Sequence, residues 1–213
     1  MEDLIIVCDF DGTISEFDSL YYFFKDNANS NWLEIERMWR EGKIGSKECL
    51  KRQFELVEGL NEELIENYLK NMKLDPYFKE FNSLRIKKGI NLVIVSDGAD
   101  YFINKILAQH NIIDIKVISN HLEFIGNKFN LLFPNQNDNC INKSGTCKCS
   151  VVKKLREQYK KIVYIGDGHS DFCVCDKADI LYAKGSLLEH CKKNNIEHIE
   201  YKNFKDIIEH FCF

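Results

Sequence analysis

The chain has 213 residues, with 29 Lys and Arg against 33 Asp and Glu, so its formal net charge is −4, and 45% of its residues are hydrophobic. This apolar content excludes an intrinsically disordered chain, and the length suits one globular core, alone or with a smaller inserted domain. The acidic balance, and the absence of a long basic run or of an apolar run of about 18 residues, exclude nucleic acid and membrane as the main partners.

Four short apolar runs predict the strands of a parallel sheet that is buried on both faces. In chain order the runs are Leu4–Cys8, Asn91–Val95, Lys161–Ile165 and Asp179–Ala183. Each of the first three ends in a small polar turn that contains glycine, and a helical pattern follows the turn. Repeated units of strand, turn and helix are typical of a doubly wound, Rossmann-like α/β sheet, which binds its ligands at the carboxyl ends of the strands.

The segment from Asp18 to Lys73 differs, because its apolar residues recur at helical spacing with charged residues between them. This pattern predicts a small helical domain inserted after the first strand. We therefore expect an α/β core of residues 1–17 and 75–213, and an inserted helical domain of residues 18–74.

Apolar and polar residues alternate between His121 and Phe133, which predicts a β-hairpin with its turn at Gly126-Asn127. The alternating apolar side chains either cover the chain's own sheet or pack on a second copy in a homodimer. The sequence leaves both alternatives open.

Asp9, Asp11 and Gly12 stand directly after the first predicted strand, in the run Asp9-Phe-Asp-Gly-Thr13. If the strand geometry continues to Asp11, both carboxylates project toward the same side. Two neighbouring carboxylates repel each other, so such a pair needs a metal cation, a division into one acid and one base, or both. Gly12 allows a sharp turn and leaves a backbone amide free to face an anion.

Asp167 and Asp171 repeat this arrangement after the strand Lys161–Ile165, in the run Gly166-Asp-Gly-His-Ser-Asp171. Together with the first pair they would form a cluster of four acids, which needs a divalent cation to offset its charge. Ligands that are all oxygen atoms favour Mg²⁺ over zinc. A turn capped by acidic residues explains one such motif but does not explain two.

Ser96-Asp-Gly98 ends the second strand and offers a hydroxyl and backbone amides, which suit phosphate oxygens. Lys148 lies just before an amphipathic helix predicted over Val151–Tyr159, where its charge would offset the acidic cluster and face a phosphoryl group. Lys153 and Lys154 compete for this role, but they lie inside that helix.

The nine cysteines are an odd number and cannot all pair within the chain, so we interpret them as reduced cytosolic thiols. A cytoplasmic location also agrees with the acidic start of Met1–Cys8, which is unlike a signal peptide. Cys140, Cys147 and Cys149 raise the alternative of a zinc or redox module, although no fourth ligand is evident and paired C-x-x-C spacing is missing.

The order of these motifs, D-x-D-G-T, a serine, a lysine and G-D-G-x-x-D, resembles that of the haloacid dehalogenase-like phosphatases over nearly the whole chain. The helical insertion after the first motif resembles the small cap of the subgroup that contains the phosphoserine phosphatases. Within that subgroup, Gly145–Cys149, Ala178–Lys184 and Cys191 are most similar to the methionine-salvage phosphatases, which act on 2-hydroxy-3-keto-5-methylthiopentenyl-1-phosphate.

This resemblance implies a magnesium-dependent phosphatase that works through an aspartyl phosphate. It implies that Asp9 is the nucleophile and that Asp11 is the general acid and base. It also implies that Ser96 and Lys148 hold the phosphoryl oxygens. The implied Mg²⁺ ligands are Asp9, Asp11 through its backbone carbonyl, Asp167 and Asp171. The remaining implied substrate contacts are Gly12, Asp18, Asp97 and Gly98.

Alternatives remain at two levels. The substrate could instead be phosphoserine, phosphocholine or a sugar phosphate, although no arginine of the insertion aligns convincingly with an amino-acid clamp. The chain could also be a phosphotransferase, or a non-catalytic protein of this fold that binds a metal or a ligand.

Overall fold

The computed structural model describes residues 2–126 and 128–211, in which seven strands form one sheet. The strands are β1 (Glu2–Cys8), β2 (Asn91–Ala99), β3 (Lys116–Ile125), β4 (Lys128–Leu132), β5 (Tyr159–Gly166), β6 (Ile180–Ala183) and β7 (Ile199–Glu200). Their order is β4-β3-β2-β1-β5-β6-β7, and every neighbouring pair is parallel except β3 and β4. The predicted α/β fold with a largely parallel, doubly wound sheet is confirmed.

Nine helices of at least eight residues accompany the sheet within the described residues. They are α1 (Ser19–Asn27), α2 (Trp32–Arg40), α3 (Ser46–Glu55), α4 (Glu62–Leu69), α5 (Phe78–Lys87), α6 (Asp100–Gln109), α7 (Lys148–Arg156), α8 (Gly185–Asn194) and α9 (Phe204–Phe211). The helices α1 to α4, which we call the four-helix segment, all lie between β1 and α5 in the chain. Among the described helices, none combines the length and the apolar character that crossing a membrane requires.

Two apolar clusters cover the two faces of the sheet. Ile6 and Cys8 of β1 belong to one cluster, while Ile5 and Val7 belong to the other. Successive side chains of a strand point to opposite faces, so a strand covered on both faces must be apolar throughout. This explains why β1 appears in the sequence as an uninterrupted apolar run.

The strand register brings the polar turns to one edge of the sheet. Cys8 at the end of β1 pairs with Ile94 of β2 and with Ile165 of β5. Asp9, Ser96 and Asp167 follow these three residues by one or two positions. The carboxyl ends of the three central strands therefore place their polar side chains side by side.

The hairpin of β3 and β4 pairs antiparallel from His121 with Leu132 to Ile125 with Lys128. Asn127 of its predicted turn lies outside the described residues. Five of its alternating apolar side chains pack in or against the larger apolar cluster, namely Leu122, Phe124, Phe129, Leu131 and Phe133. The hairpin thus contacts the chain's own core.

Helix α7 begins earlier and ends earlier than the predicted Val151–Tyr159. It spans Lys148–Arg156, and the first backbone hydrogen bond of its start runs from Val151 N to Cys147 O at 3.1 Å. Tyr159 instead begins β5 and pairs with Glu2 of β1. The pairing of Tyr159 with β1 outweighs the local helical pattern, so α7 ends before Tyr159. At the other end of α7, Lys148 is the first helical residue.

Candidate active site

Asp9 lies where β1 ends, almost wholly enclosed by protein. Its side chain is 6% exposed, its Oδ1 accepts a hydrogen bond from Phe10 N at 2.8 Å, and its Oδ2 lies 2.8 Å from Lys148 Nζ. Burial and the neighbouring charge of Asp171 raise the pKa of Asp9, and the ammonium of Lys148 opposes this rise. Both carboxylate oxygens are therefore held in fixed directions before a substrate arrives.

Asp11 lies beyond the end of β1, in the turn that leads to α1. Its Oδ1 accepts hydrogen bonds from Ser19 N at 2.7 Å and from Ser19 Oγ at 2.6 Å, so the start of α1 fixes the carboxyl group. Burial and the charges of Asp18 and Asp167 together raise the pKa of Asp11 to about 7, although the hydrogen bonds from Ser19 oppose this rise. Asp11 is thereby suited to carry a proton near neutral pH.

Asp171 is completely buried and fully hydrogen-bonded. Its Oδ1 accepts from Lys148 Nζ and from Tyr164 OH, each at 2.6 Å, and its Oδ2 accepts from the backbone amides of Asp167 and Gly168, each at 3.1 Å. Asp171 therefore reaches back to hold the turn that carries Asp167.

Lys148 is the cation at the centre of the site, and its side chain is 1% exposed. Its Nζ contacts Asp9 Oδ2 at 2.8 Å, Asp171 Oδ1 at 2.6 Å and Ser170 Oγ at 2.9 Å. Burial by itself lowers the pKa of Lys148, but Asp171 and Asp9 outweigh this effect and raise the pKa. The two competing lysines, Lys153 and Lys154, are exposed on α7.

One carboxylate oxygen each of Asp9, Asp167 and Asp171 lies within 4.8 Å of the other two. Among the described residues, no other three His, Cys, Asp or Glu side chains bring possible metal ligands this close together. Burial and the charge of Asp171 raise the pKa of Asp167 to about 6. Three carboxylates around one lysine leave an excess of negative charge and an oxygen ligand set, which suits a hard divalent cation. The Asp11 carboxylate is not part of the group, and Cys140, Cys147 and Cys149 do not assemble a comparable one.

The backbone conformation at residue 12 and the closeness of Asp167 require a glycine at this position. Its φ is +73°, and a Cβ at this position would lie 2.5 Å from Asp167 Oδ2. The positive φ is costly for any residue with a side chain, and the contact would displace a carboxylate of the group formed by Asp9, Asp167 and Asp171.

We expect Gly12→Ala to lower both stability and phosphatase turnover. The backbone strain should cost about 1 kcal/mol, and turnover should fall at least about tenfold because Asp167 must move. The matched control is Gly89→Ala, which has a φ of +65° but no atom within 4 Å of the new Cβ. Thermal unfolding and phosphate release on both variants check this, and equal activity in the two would contradict the role assigned to the contact.

Ser96, Asp97 and Gly98 at the end of β2 have different surroundings. Ser96 is buried and lines the cavity, and its Oγ accepts a hydrogen bond from Gly98 N at 3.0 Å. The Asp97 carboxylate accepts bonds from Thr146 N at 2.8 Å and from Ser46 Oγ of α3. Asp97 therefore ties the four-helix segment to the loop before α7, and its carboxylate is already occupied.

A cavity of about 180 Å³ opens above these carboxylates. The sequence-predicted residues that line it are Asp9, Asp11, Gly12, Asp18, Ser96, Asp97, Gly98 and Asp167. The four-helix segment contributes an apolar wall formed by Leu20, Tyr21, Phe24, Trp39, Cys49 and Leu50. The structure thus brings the predicted residues together, with Lys148 and Asp171 enclosed behind Asp9.

The polar part of the cavity wall was not identified from the sequence. Glu36 Oε2 accepts a hydrogen bond from Gln53 Nε2 at 3.1 Å, and Glu36 Oε1 accepts one from Arg40 Nε at 2.8 Å. Glu36 and Gln53 line the cavity, whereas no lysine or arginine of the described residues does. Helical spacing could have indicated that Glu36 and Arg40 pair, but no local signal links α2 to Gln53.

Comparisons with known proteins agree with this architecture. The model of the haloacid dehalogenase-like hydrolase family matches residues 6–175. A 2-hydroxy-3-keto-5-methylthiopentenyl-1-phosphate phosphatase from Bacillus velezensis is 32% identical over 95% of this chain and 87% of its own length. The protein of the same name from Geobacillus thermodenitrificans is 30% identical over 98% of this chain and 96% of its own.

Solved structures are similar over nearly the whole chain. A substrate-bound phosphoserine phosphatase complex superposes with a TM-score of 0.73 at 20% identity, covering 99% of this chain and 98% of that one. A phosphoserine phosphatase from T. onnurineus superposes with a TM-score of 0.73 at 16% identity, covering 98% of this chain and 94% of that one. At these identities the likeness shows the fold. The family match over most of the chain confirms the resemblance seen in the motifs, and the chain belongs to the haloacid dehalogenase-like hydrolase family.

Proposed function

We propose that this phosphatase hydrolyses a small phosphate monoester through phosphorylated Asp9, with Mg²⁺ as its cofactor and 2-hydroxy-3-keto-5-methylthiopentenyl-1-phosphate as its substrate. The observation that carries the proposal is the buried Asp9 carboxylate, which points at Lys148 at 2.8 Å and lies within a group of three carboxylates below a cavity. The names of the relatives from Bacillus velezensis and Geobacillus thermodenitrificans support the choice of substrate.

Asp9 and Asp11 divide the chemistry between them. An oxygen of Asp9 attacks phosphorus and the bond to the leaving oxygen breaks, which separates hydrolysis into two easier steps. Asp11, whose pKa of about 7 favours a bound proton, gives that proton to the leaving alkoxide or enolate. Asp11 then accepts a proton from the water that attacks the phosphorylated Asp9.

The phosphoryl oxygens need donors that are already in place. Ser96 lines the cavity, and its Oγ accepts a hydrogen bond from Gly98 N, so the hydroxyl proton is available to a phosphoryl oxygen. Lys148 provides a positive charge, held on two carboxylates, that offsets the charge spreading over the phosphoryl group. Tyr164 OH donates a hydrogen bond to Asp171 Oδ1, and the carboxylate held in this way positions Lys148 Nζ.

The carboxylate group fits the proposed Mg²⁺. Asp9 and Asp167 would hold the cation together with the backbone carbonyl of Asp11, while Asp171 is already bound by four protein donors and positions the others. When bound, Mg²⁺ would neutralise charge on the phosphoryl oxygens. We expect phosphate release to stop when EDTA removes divalent cations and to return with added Mg²⁺.

We propose that residues 18–74 form a cap domain on the α/β core of residues 1–17 and 75–213, and that the protein is cytoplasmic. The cap supplies the apolar wall and the buried Glu36–Gln53 pair of the cavity, and Asp18 lies at its entry, where it caps α1. No lysine or arginine of the described residues lines this cavity. Arg40 is already paired with Glu36, so a substrate carboxylate would meet Asp18 and Glu36 without a free cation on the cavity wall, which disfavours phosphoserine.

A matched pair of substrates tests this conclusion, because phosphoethanolamine differs from phosphoserine only by lacking the carboxylate. We expect kcat/KM to be at least about tenfold higher for phosphoethanolamine, since like charges in an enclosed site cost several kcal/mol. The enol phosphate of methionine salvage, whose thioether end suits the apolar wall, should exceed both. Phosphate release with and without Mg²⁺ measures all three.

The same assay separates the remaining alternatives. A preference for phosphoserine would overturn the proposed substrate class, although the phosphatase mechanism would stand. Product that appears only with an added alcohol would indicate a phosphotransferase. No release from any ester by folded protein would favour a non-catalytic binding role.

A further inference from the structure

A second cavity lies behind the catalytic lysine, on the side of α7 and α8. Its volume is about 570 Å³, and its lining includes Cys140, Cys147, Cys149, Cys173 and Cys175. These cysteines come from two separate parts of the chain, the loop and first turn of α7 and the residues that follow Asp171. All five are free thiols, and Cys140, Cys149 and Cys173 are partly exposed.

Cys149 and Cys173 stand out among the five because they touch each other. Cys149 Sγ donates a hydrogen bond to the backbone oxygen of Cys173 at 2.8 Å. The neighbouring Cys173 side chain lowers the pKa of the Cys149 thiol against the opposing effect of burial, so a larger share of the thiol is the reactive thiolate. The cavity leaves room for a small oxidant to approach.

The pair is connected directly to the catalytic centre on both sides. Cys149 follows Lys148 on the first turn of α7, and Cys173 comes two residues after Asp171. Cys173 Sγ also contacts the backbone oxygen of Ser170 at 3.9 Å, and Ser170 Oγ is a partner of Lys148 at 2.9 Å. Any movement that draws the two sulfur atoms together must pull on the residues around the ammonium group.

We propose that Cys149 and Cys173 form a site of reversible thiol oxidation, which takes a hydroperoxide as its oxidant and closes to a disulfide that switches the phosphatase off. The loss of activity rests on the function proposed above. The formation of the disulfide does not.

The chemistry proceeds in two steps. The Cys149 thiolate attacks one peroxide oxygen, the O–O bond breaks, and the other oxygen leaves as hydroxide and takes up a proton to become water, which leaves a sulfenic acid on Cys149. The Cys173 sulfur then attacks the Cys149 sulfur, the S–S bond forms, and the S–O bond breaks with release of a second water. Two thiols are oxidised and one hydrogen peroxide is reduced to two waters.

Formation of the disulfide should lower activity by changing the distances between Lys148 and its carboxylate partners. An S–S bond is about 2.05 Å long, well below the contact distance of two unbonded sulfur atoms, so the two cysteine side chains and the turns that carry them are expected to shift. Lys148 contacts Asp9 at 2.8 Å and Asp171 at 2.6 Å, and misplacing such contacts by about 1 Å can lower a rate about a hundredfold. We therefore expect at least a tenfold loss of turnover in the oxidised protein.

The test uses the full chain, reduced with dithiothreitol and then freed of it. Hydrogen peroxide is added in steps, free thiols are blocked with N-ethylmaleimide, and peptide mass spectrometry locates cross-links, while p-nitrophenyl phosphate reports activity. The variants are Cys149→Ser and Cys173→Ser, with Cys140→Ser as the control from the same cavity. Circular dichroism confirms that each variant is folded.

We expect a Cys149–Cys173 cross-link in the wild type and in Cys140→Ser, with activity lost in parallel and restored by dithiothreitol. Cys149→Ser and Cys173→Ser should keep their activity at the same peroxide concentration. A cross-link of Cys149 to another cysteine, oxidation without any cross-link, or a cross-link that leaves turnover unchanged would overturn the proposal. A cross-linked protein that never releases phosphate, even when reduced, would instead refute the proposed function and leave the oxidation site standing.

Discussion

Replacing Asp9 with asparagine is expected to lower kcat by about 10⁴-fold or more, because the amide keeps the shape of the side chain but cannot attack phosphorus. Asp9 faces Lys148 at 2.8 Å and lines the cavity, whereas Asp171, which also contacts Lys148, does not line it. Phosphate release under Mg²⁺ measures the effect. Mass spectrometry after acid quenching should detect phosphate on Asp9 in the wild type and none in Asp9→Asn.

Two comparisons make the result specific. Asp11→Asn should lose nearly as much activity, because it removes the proton donor while leaving the nucleophile. Asp176→Asn, at an exposed aspartate outside the cavity, should retain full activity. Full turnover in purified Asp9→Asn would eliminate Asp9 as the nucleophile.

The second large effect is expected at Lys148. Lys148→Ala removes a cation that is 1% exposed and leaves Asp9 and Asp171 facing each other without compensation. Breaking a buried ion pair in this way costs about 3–5 kcal/mol of stability. Turnover should fall about 10²- to 10³-fold through the lost stabilisation of the transferring phosphoryl group.

Lys153→Ala is the matched control, because it removes the same charge from an exposed position of the same helix. Its stability should change by less than about 0.5 kcal/mol, with kcat unchanged. Urea unfolding and phosphate release on both variants separate the structural effect from the catalytic one. A larger rate loss in Lys153→Ala than in Lys148→Ala would show that the catalytic lysine is wrongly assigned.

The α/β class and the location of the chemistry could be predicted from the sequence for local reasons. A central parallel strand must be apolar on both faces, so β1 and the middle of β2 and β5 appear as short apolar runs. A polar turn that follows such a run lies at the carboxyl edge of the sheet, which is where doubly wound folds bind ligands. Asp9, Ser96 and Asp167 were therefore recognisable from their positions behind the strands.

The details that depend on distance were decided by the tertiary structure. The position of the Asp11 carboxyl group follows from its bonds to Ser19, and the end of α7 before Tyr159 follows from the pairing of Tyr159 with β1. Local periodicity cannot report such competition, because strand pairing and burial act between residues far apart in the chain.

Contacts between residues far apart in the chain also explain why three residue pairs could not be predicted from the sequence. Asp97 binds Ser46, Glu36 binds Gln53, and Cys149 touches Cys173, across separations of 51, 17 and 24 residues. Each residue type is common and unremarkable at its place in the chain. The sequence by itself determined the fold class, the family and the strand ends that carry the acids. Only the packing of distant segments decided which carboxylates share the Lys148 ammonium, which side chains line the cavity, and which two cysteines meet next to Lys148 and Asp171.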